Sequence, residues 1–391
     1  MTRTDSPALP AARNLSIDTY RGFVMLLMMA EVLRLSRVAE AFPGNWFWET
    51  LAYHQSHVAW AGASLHDMIQ PSFSFLVGVA LPYSIAARLA RGATFKRLFA
   101  HALWRSVLLV FLGIFLRSTR STQTNFTFED TLTQIGLGYP FLFLLAFCRP
   151  RWQWTAFGLI LGGYWLAWAL YPPQAPVGVP ADWPHHYTGF MAHWNKNANA
   201  GTAFDQWFLN LFPRAEPFVA NGGGYLTLSF IPTLGTMILG LFAGRWFRAA
   251  APALPLRKLL TAAGFTIAAG VFLHLAGICP IVKRIWTPSW TLFSGGLCFL
   301  ILAGLTWLID GRGYRTWTFP LIVIGANSIA AYLIAHLWDG FFVDSLRIHL
   351  GANAFAFLGA GLEPLLRGLI ILTIYWLILY WMYNRKIFLK I

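Results

Sequence analysis

Residues 53–84 read YHQSHVAWAGASLHDMIQPSFSFLVGVALPYS, and the reading of this stretch decides the fold class and where chemistry is to be sought. Three histidines (His54, His57, His66) and Asp67 pass without interruption into an apolar run over 68–87. A run of about 20 apolar residues is long enough to cross a bilayer as a helix. Ionisable side chains at the mouth of such a span are costly to bury and tend to serve a pathway or a site. The spacing is as informative as the content: His57, Trp60, Gly62, Asp67 and Pro71 form H-x-x-W-x-G-x-x-x-x-D-x-x-x-P. A carboxylate placed to hold an imidazole is what acid–base or nucleophilic catalysis by histidine requires. The plainer reading is that His57 caps the next helix or simply hydrogen-bonds Asp67.

Composition carries the membrane assignment across the chain. Of 391 residues, 57% are hydrophobic and 11% charged, which excludes an ordinary soluble protein. Aromatics make up 17%, with 19 Trp, as expected where rings crowd membrane interfaces and line cavities. The formal charge of +14 invites a nucleic-acid reading. The basic residues, however, lie singly or in short groups between apolar spans, with no basic stripe to track a phosphate backbone. Cys148, Cys279 and Cys298 have no metal-binding spacing and are expected at different depths, so neither a disulfide nor a metal site follows. His185, His186 and His193 have no nearby carboxylate in a ligand pattern, and no metal is expected there either.

The fold expected is all-α: one polytopic domain over 1–391, with about ten transmembrane helices in a single bundle. Spans are expected near 20–38, 67–87, 98–117, 132–148, 153–171, 226–244, 259–278, 289–309, 318–338 and 366–384. Residues 1–19 read as a cytoplasmic tail without a cleaved signal, because Glu31 and Arg34 interrupt the first apolar segment. The basic loop 88–97 and the basic closing segment after Asn384 fall on one side, which the positive-inside rule makes cytoplasmic, with both termini there. His57 then lies on the opposite face. Residues 172–225 break the apolar pattern and form a long extracytoplasmic loop of the kind that usually carries function. Trp183, Tyr187, Trp194 and Trp207 in it can serve as flat faces for a sugar ring or as interfacial anchors.

The His57 motif resembles that of the transmembrane N-acetyltransferases typified by heparan-α-glucosaminide N-acetyltransferase, in their bacterial form. The S-x-D-x-x-R-G opening at Ser16, Asp18, Arg21 and Gly22 is similar to the family's, as are Pro280, Lys283, Trp286 and Gly295, and Gly325, Asn327 and Tyr332. The chain departs from the pattern where Val32, beside Glu31, takes the place of an expected Asn, and where Ile135 follows Gln134 in place of Arg. The resemblance implies His57 and Asp67 as catalytic residues, with His57 as base or acetyl carrier. It also implies acetyl-CoA as co-substrate, with a carbohydrate acceptor reached from the far side of a bacterial inner membrane. Glu31, Trp60, Lys283, Trp286, Asn327 and His336 are the residues expected to hold the acceptor. The cations Arg88, Arg91, Lys96 and Arg97 suit the cofactor's phosphates through charge-assisted bonds, and Gln134 can line the cofactor cavity or bond between helices. A homodimer is left open. The alternative from another class is a secondary transporter of a small polar solute, with Glu31, Asn327 and His336 as gating or proton-relay groups.

Overall fold

The apolar run after Asp67 becomes a helix of 21 residues, Ile69–Leu89, and most of the architecture can be described from how its neighbours are seated on it. The computed structural model describes residues 14–351 and 353–389; residues 1–13 of the expected tail lie outside the described residues. Among the described residues the regular structure is helical throughout, with one isolated antiparallel bridge, Ala61 to Val282. In chain order the helices are α1 Leu15–Met29, α2 Leu35–Ala41, α3 Trp46–Gln55, α4 Ile69–Leu89, α5 Phe95–Ser118, α6 Thr131–Ala146, α7 Pro150–Leu170 and α8 Ala200–Phe208. They continue as α9 Phe230–Ala250, α10 Leu256–Leu275, α11 Pro288–Leu305, α12 Phe319–Ala326, α13 Ser328–Leu337, α14 Asp339–Leu350 and α15 Glu363–Asn384.

Small residues set the centre of the bundle. A Cβ added at Gly78 of α4 would overlap the Met237 carbonyl on α9, and one at Gly240 or Gly244 would overlap the carbonyls of Phe75 or Val79 on α4. Backbone therefore packs on backbone between α4 and α9, the contact that small residues permit between helices in lipid. α9 is enclosed, with 83% of its apolar stretch buried, whereas α10 has 22% buried and lies at the periphery. The outward faces are apolar: Trp104, Phe111 and Phe115 on α5, Phe265 and Phe272 on α10, and Leu377 and Trp381 on α15 are all exposed. Such contiguous apolar surface fits contact with lipid.

Six helices are long and apolar enough to cross a membrane, or seven with α12 and α13 counted as one bent span. The remaining expected spans are helical but differ in kind. The segment near 20–38 stops as α-helix at Met29, passes through a 3-10 turn at Ala30–Leu33, and turns at Arg34, whose φ is +51°. α6 has 16 residues, and α7 has 21 but is diluted by Trp, Tyr, Gly and Gln153. The segment near 318–338 is bent by 70° at Asn327. The expected long loop is itself structured. Asn199 caps α8 by accepting from the backbone N–H groups of Gly201 and Thr202, both at 3.1 Å.

Candidate functional site

The site is built where two connecting segments meet above the bundle. One is the segment 56–68, between α3 and α4; the other is 276–287, between α10 and α11. The Ala61–Val282 bridge and the bond from Gly62 N–H to Ile281 O (3.1 Å) stitch them together. Gly62 has a φ of +108°, a conformation open to glycine and strained for other residues. Trp60 and Trp286 anchor the two segments from below. Trp60 is fully buried, donates to Trp194 O at 3.1 Å, and meets Trp183 edge-on. Trp286, with φ +49°, donates to Thr236 Oγ1 at 3.3 Å. Both residues were expected at the acceptor; the structure places them as buried supports of the site walls.

Asp67 lies at the focus. Only 1% of its side chain is exposed, and each oxygen is filled by donors. Oδ2 accepts from Val58 N–H (3.2 Å), Ser64 N–H (3.2 Å) and Ser64 Oγ–H (3.1 Å). Oδ1 faces His57 Nδ1 at 2.8 Å and Lys283 Nζ at 3.2 Å. Lys283 Nζ also lies 3.1 Å from His57 Nδ1, and one ring nitrogen cannot both donate to Asp67 and accept from Lys283. The shorter contact, from a ring N–H to a carboxylate, assigns the proton to Nδ1, since Lys283 has Oδ1 as its own acceptor. Nε2 of His57 is left with its lone pair. The His57 side chain is 37% exposed, so the imidazole is accessible from outside while its partners are enclosed.

Burial holds the His57 imidazole below the usual histidine range. Asp67 pulls against that, whereas Lys283 and His66 reinforce it. Burial likewise pushes the Lys283 ammonium down to about 8, with Asp67 opposing the fall. At neutral pH the cluster is therefore an Asp67–Lys283 ion pair supporting a neutral imidazole.

A second histidine extends the cluster. The rings of His57 and His66 lie 4.5 Å apart, and His66 Nε2 is 3.3 Å from Glu31 Oε1. Arg34, one turn after Glu31, pairs instead with Asp339 at 2.5 Å. Glu31, Arg34, His336 and Asp339 line a small cleft floored by Met28 and Met29. His336 stacks on Tyr332 with ring centroids 4.1 Å apart. Across the site, Arg284 reaches Val58 O and Gly223 O and lies 5.2 Å above the Tyr225 ring. Tyr225 in turn meets His57 edge-on at 6.4 Å. His66 was noted in the sequence without an assigned role, and Tyr225 was missed. The signal for His66 was present, since it adjoins Asp67; Tyr225 stood at a loop boundary with nothing to distinguish it.

The structure brings His57, Asp67, Lys283, Glu31 and His336 to one end of the bundle and leaves Asn327 elsewhere. The Asn327 side chain pins the segment after α15, donating to Ile387 O at 2.7 Å and accepting from Leu389 N–H at 3.1 Å. Arg88, Arg91 and Arg97 line a cleft of about 400 Å³ together with His101, which sequence reasoning passed over one helical turn after Arg97. Arg88 donates to His101 Nε2 at 2.6 Å. Lys96 is exposed and not part of that lining. Gln134 is far from these cations, in the first turn of α6, where it donates to the carbonyls of Phe128 (2.6 Å) and Thr227 (3.2 Å). Its Oε1 is buried without a partner. Among the described residues no three histidine, cysteine or acidic side chains converge as a metal site. His186 and His193 bond to the carbonyls of Pro180 and Tyr171.

A bundle of membrane-length apolar helices, with a histidine–carboxylate–ammonium cluster enclosed at one end, defines a multi-pass helical membrane protein with a built polar site. No family model matches the chain. It is 23% identical to heparan-alpha-glucosaminide N-acetyltransferase from Homo sapiens over an alignment 427 positions long, gaps included, which covers 98% of this chain and 60% of that protein. With the protein of the same name from Mus musculus it shares 22% identity over an alignment of 421 positions, covering 96% of this chain and 60% of the relative. The chain is thus a distant homologue of the heparan-alpha-glucosaminide N-acetyltransferase family, and it spans about 60% of the length of these curated relatives.

Proposed function

We propose that this protein is a membrane acetyltransferase that moves acetyl from acetyl-CoA on the cytoplasmic side to a carbohydrate acceptor, an amino sugar or glycan, on the other side. The carrying observation is the placement of two unlike sites at opposite ends of α4. His57 and Asp67 stand before its first turn, and Arg88 lies in its last turn beside the basic cleft. A helix of 21 residues separates them by about 30 Å, the depth of a bilayer's hydrocarbon core. The arginines suit the phosphates of the cofactor, and its slim pantetheine arm suits passage between helices toward His57. The N-acetyltransferase names of the relatives support the same chemistry.

At the far end, Nε2 of His57 is the reactive nitrogen in either of two modes. As general base it takes the proton of the attacking amine or hydroxyl while the new bond to the acetyl carbon forms and the C–S bond breaks. As carrier it attacks that carbon itself, releases the thiolate, and passes the acetyl to the acceptor. On this reading Glu31 and His336, which line one cleft, hold the acceptor. Both termini lie in the cytoplasm on this reading, and α1, α6 and α7 complete the crossings, giving a bundle of about ten spans in a bacterial inner membrane.

The test is acetyl transfer by purified protein in detergent, with labelled acetyl-CoA and a panel of sugars. His57→Ala is expected to abolish turnover and leave acetyl-CoA binding intact. Retained turnover would remove His57 from the chemistry, and a wild-type protein that consumes no acetyl-CoA would favour a carrier of polar solutes.

A further inference from the structure

Lys283 occupies an unusual position for a lysine. Only 5% of its side chain is exposed, where lysines are almost never fully buried unless paired. Its two close polar partners are Asp67 Oδ1 at 3.2 Å and His57 Nδ1 at 3.1 Å. An amine placed to bind a substrate would face the opening beside His57, whereas the Lys283 ammonium approaches the buried Asp67 carboxylate. The Ala61–Val282 bridge fixes this approach, because Val282 directly precedes Lys283.

The consequence follows from charge. A bare buried carboxylate next to an imidazole favours the imidazolium. Here Asp67 and Lys283 form an ion pair, so the ring faces a pair of zero net charge. The other groups facing His57 are His66, with Glu31 behind it, and Tyr225, with Arg284 above its ring. Of the cations among these, Lys283 alone touches the ring nitrogen that carries the proton.

We propose that Lys283 is a positioning residue: by pairing with Asp67 Oδ1 it fixes the carboxylate that accepts from His57 Nδ1–H and offsets its charge, so that the ring stays neutral with Nε2 free at neutral pH. The inference concerns the same residue as the proposed transfer and so rests on that reading for its purpose, but it is tested without any acetyl donor. In the direction it requires, burial and Lys283 together hold His57 below the usual histidine range.

The experiment is carbethoxylation of the full chain in detergent by diethyl pyrocarbonate, which reacts with neutral imidazole, with His57 followed by peptide mass spectrometry across pH. Wild-type His57 is expected to react with a midpoint below about 6.5, the ordinary histidine value. In Lys283→Met, which keeps the apolar stem and loses the charge, the midpoint is expected to rise by about 1 unit or more. Lys283→Arg, which keeps the charge, is expected to hold the wild-type midpoint. A wild-type midpoint at or above about 6.5 overturns the inference whatever the variants do, including a methionine variant that fails to fold. So does a folded methionine variant whose midpoint is unchanged, the result expected of a purely structural lysine. Absence of acetyl transfer together with the expected midpoints would refute the proposed function and leave this role of Lys283 standing.

Discussion

Asp67→Asn isolates the cluster's electrostatics with almost no change in shape. Three donors surround the position of Oδ2, so the single amide oxygen is expected to stay there and turn the amide N–H toward His57 and Lys283. His57 must then accept at Nδ1, which moves its proton to Nε2 and removes the lone pair. A wrong tautomer of this kind costs about 10,000-fold in turnover in a hydrolase triad, and a loss of about 1,000- to 10,000-fold is expected here. The stability cost has two routes. Retaining a charged Lys283 beside a neutral amide would cost about 3–5 kcal/mol, as for any broken buried pair. Lys283, already held at about 8, can instead shed its proton at pH 7 for about 1.4 kcal/mol, and this cheaper route is expected to prevail. With a weakened hydrogen bond worth about 1 kcal/mol, the total is about 2–3 kcal/mol. The assays are thermal unfolding in detergent and single-turnover acetyl transfer. The double variant Asp67→Asn with Lys283→Met is expected to recover stability and none of the turnover. Turnover of Asp67→Asn within about tenfold of wild type, or strictly additive stability losses, would refute this view of the cluster.

Three further outcomes are expected. Arg91→Glu or Arg97→Glu should weaken acetyl-CoA binding and flatten its salt dependence, as measured by titration at two ionic strengths; unchanged binding would leave the cleft as a topology signal. Gly240→Ala must push α4 from α9 at the Phe75 carbonyl and should cost about 1–3 kcal/mol, whereas Gly264→Ala on α10 meets open space and should not lower the melting temperature. Asp205 is raised by burial to about 7 in the folded protein, from an ordinary 3.8, so the folded state keeps a proton that the unfolded chain releases within that window. Stability from this group therefore falls as pH rises through the window, and Asp205→Asn, which still accepts from Thr227 N–H, should melt higher than wild type at about pH 8 and not at about pH 4.

The His57–Asp67 pairing was legible because both residues lie in one short segment, where spacing alone brings them together. Lys283 was legible only as a cation in a matching motif. Its actual partner depends on the Ala61–Val282 bridge, a contact between segments more than 200 residues apart that local patterning does not encode. Glu31 was expected to hold the acceptor. The left-handed turn at Arg34 sends that guanidinium to Asp339 and leaves Glu31 to His66. Hydropathy located each long helix, since apolar length is a local property. It missed the bend at Asn327, where the side chain satisfies backbone groups of a segment 60 residues further on. The basic loop read as one cluster, but helical geometry turns Lys96 away from the cleft that Arg91 and Arg97 share with His101.

The central claim is that acetyl crosses the membrane through His57. Sealed proteoliposomes holding glucosamine in the lumen, given acetyl-labelled acetyl-CoA outside only, test it most directly. Labelled N-acetylglucosamine is expected in the lumen with wild-type protein and not with His57→Ala, while unreacted acetyl-CoA stays outside in both. Lumenal product of equal amount from the His57→Ala vesicles, or labelled product confined to the outer medium when glucosamine is supplied on both sides, would contradict it.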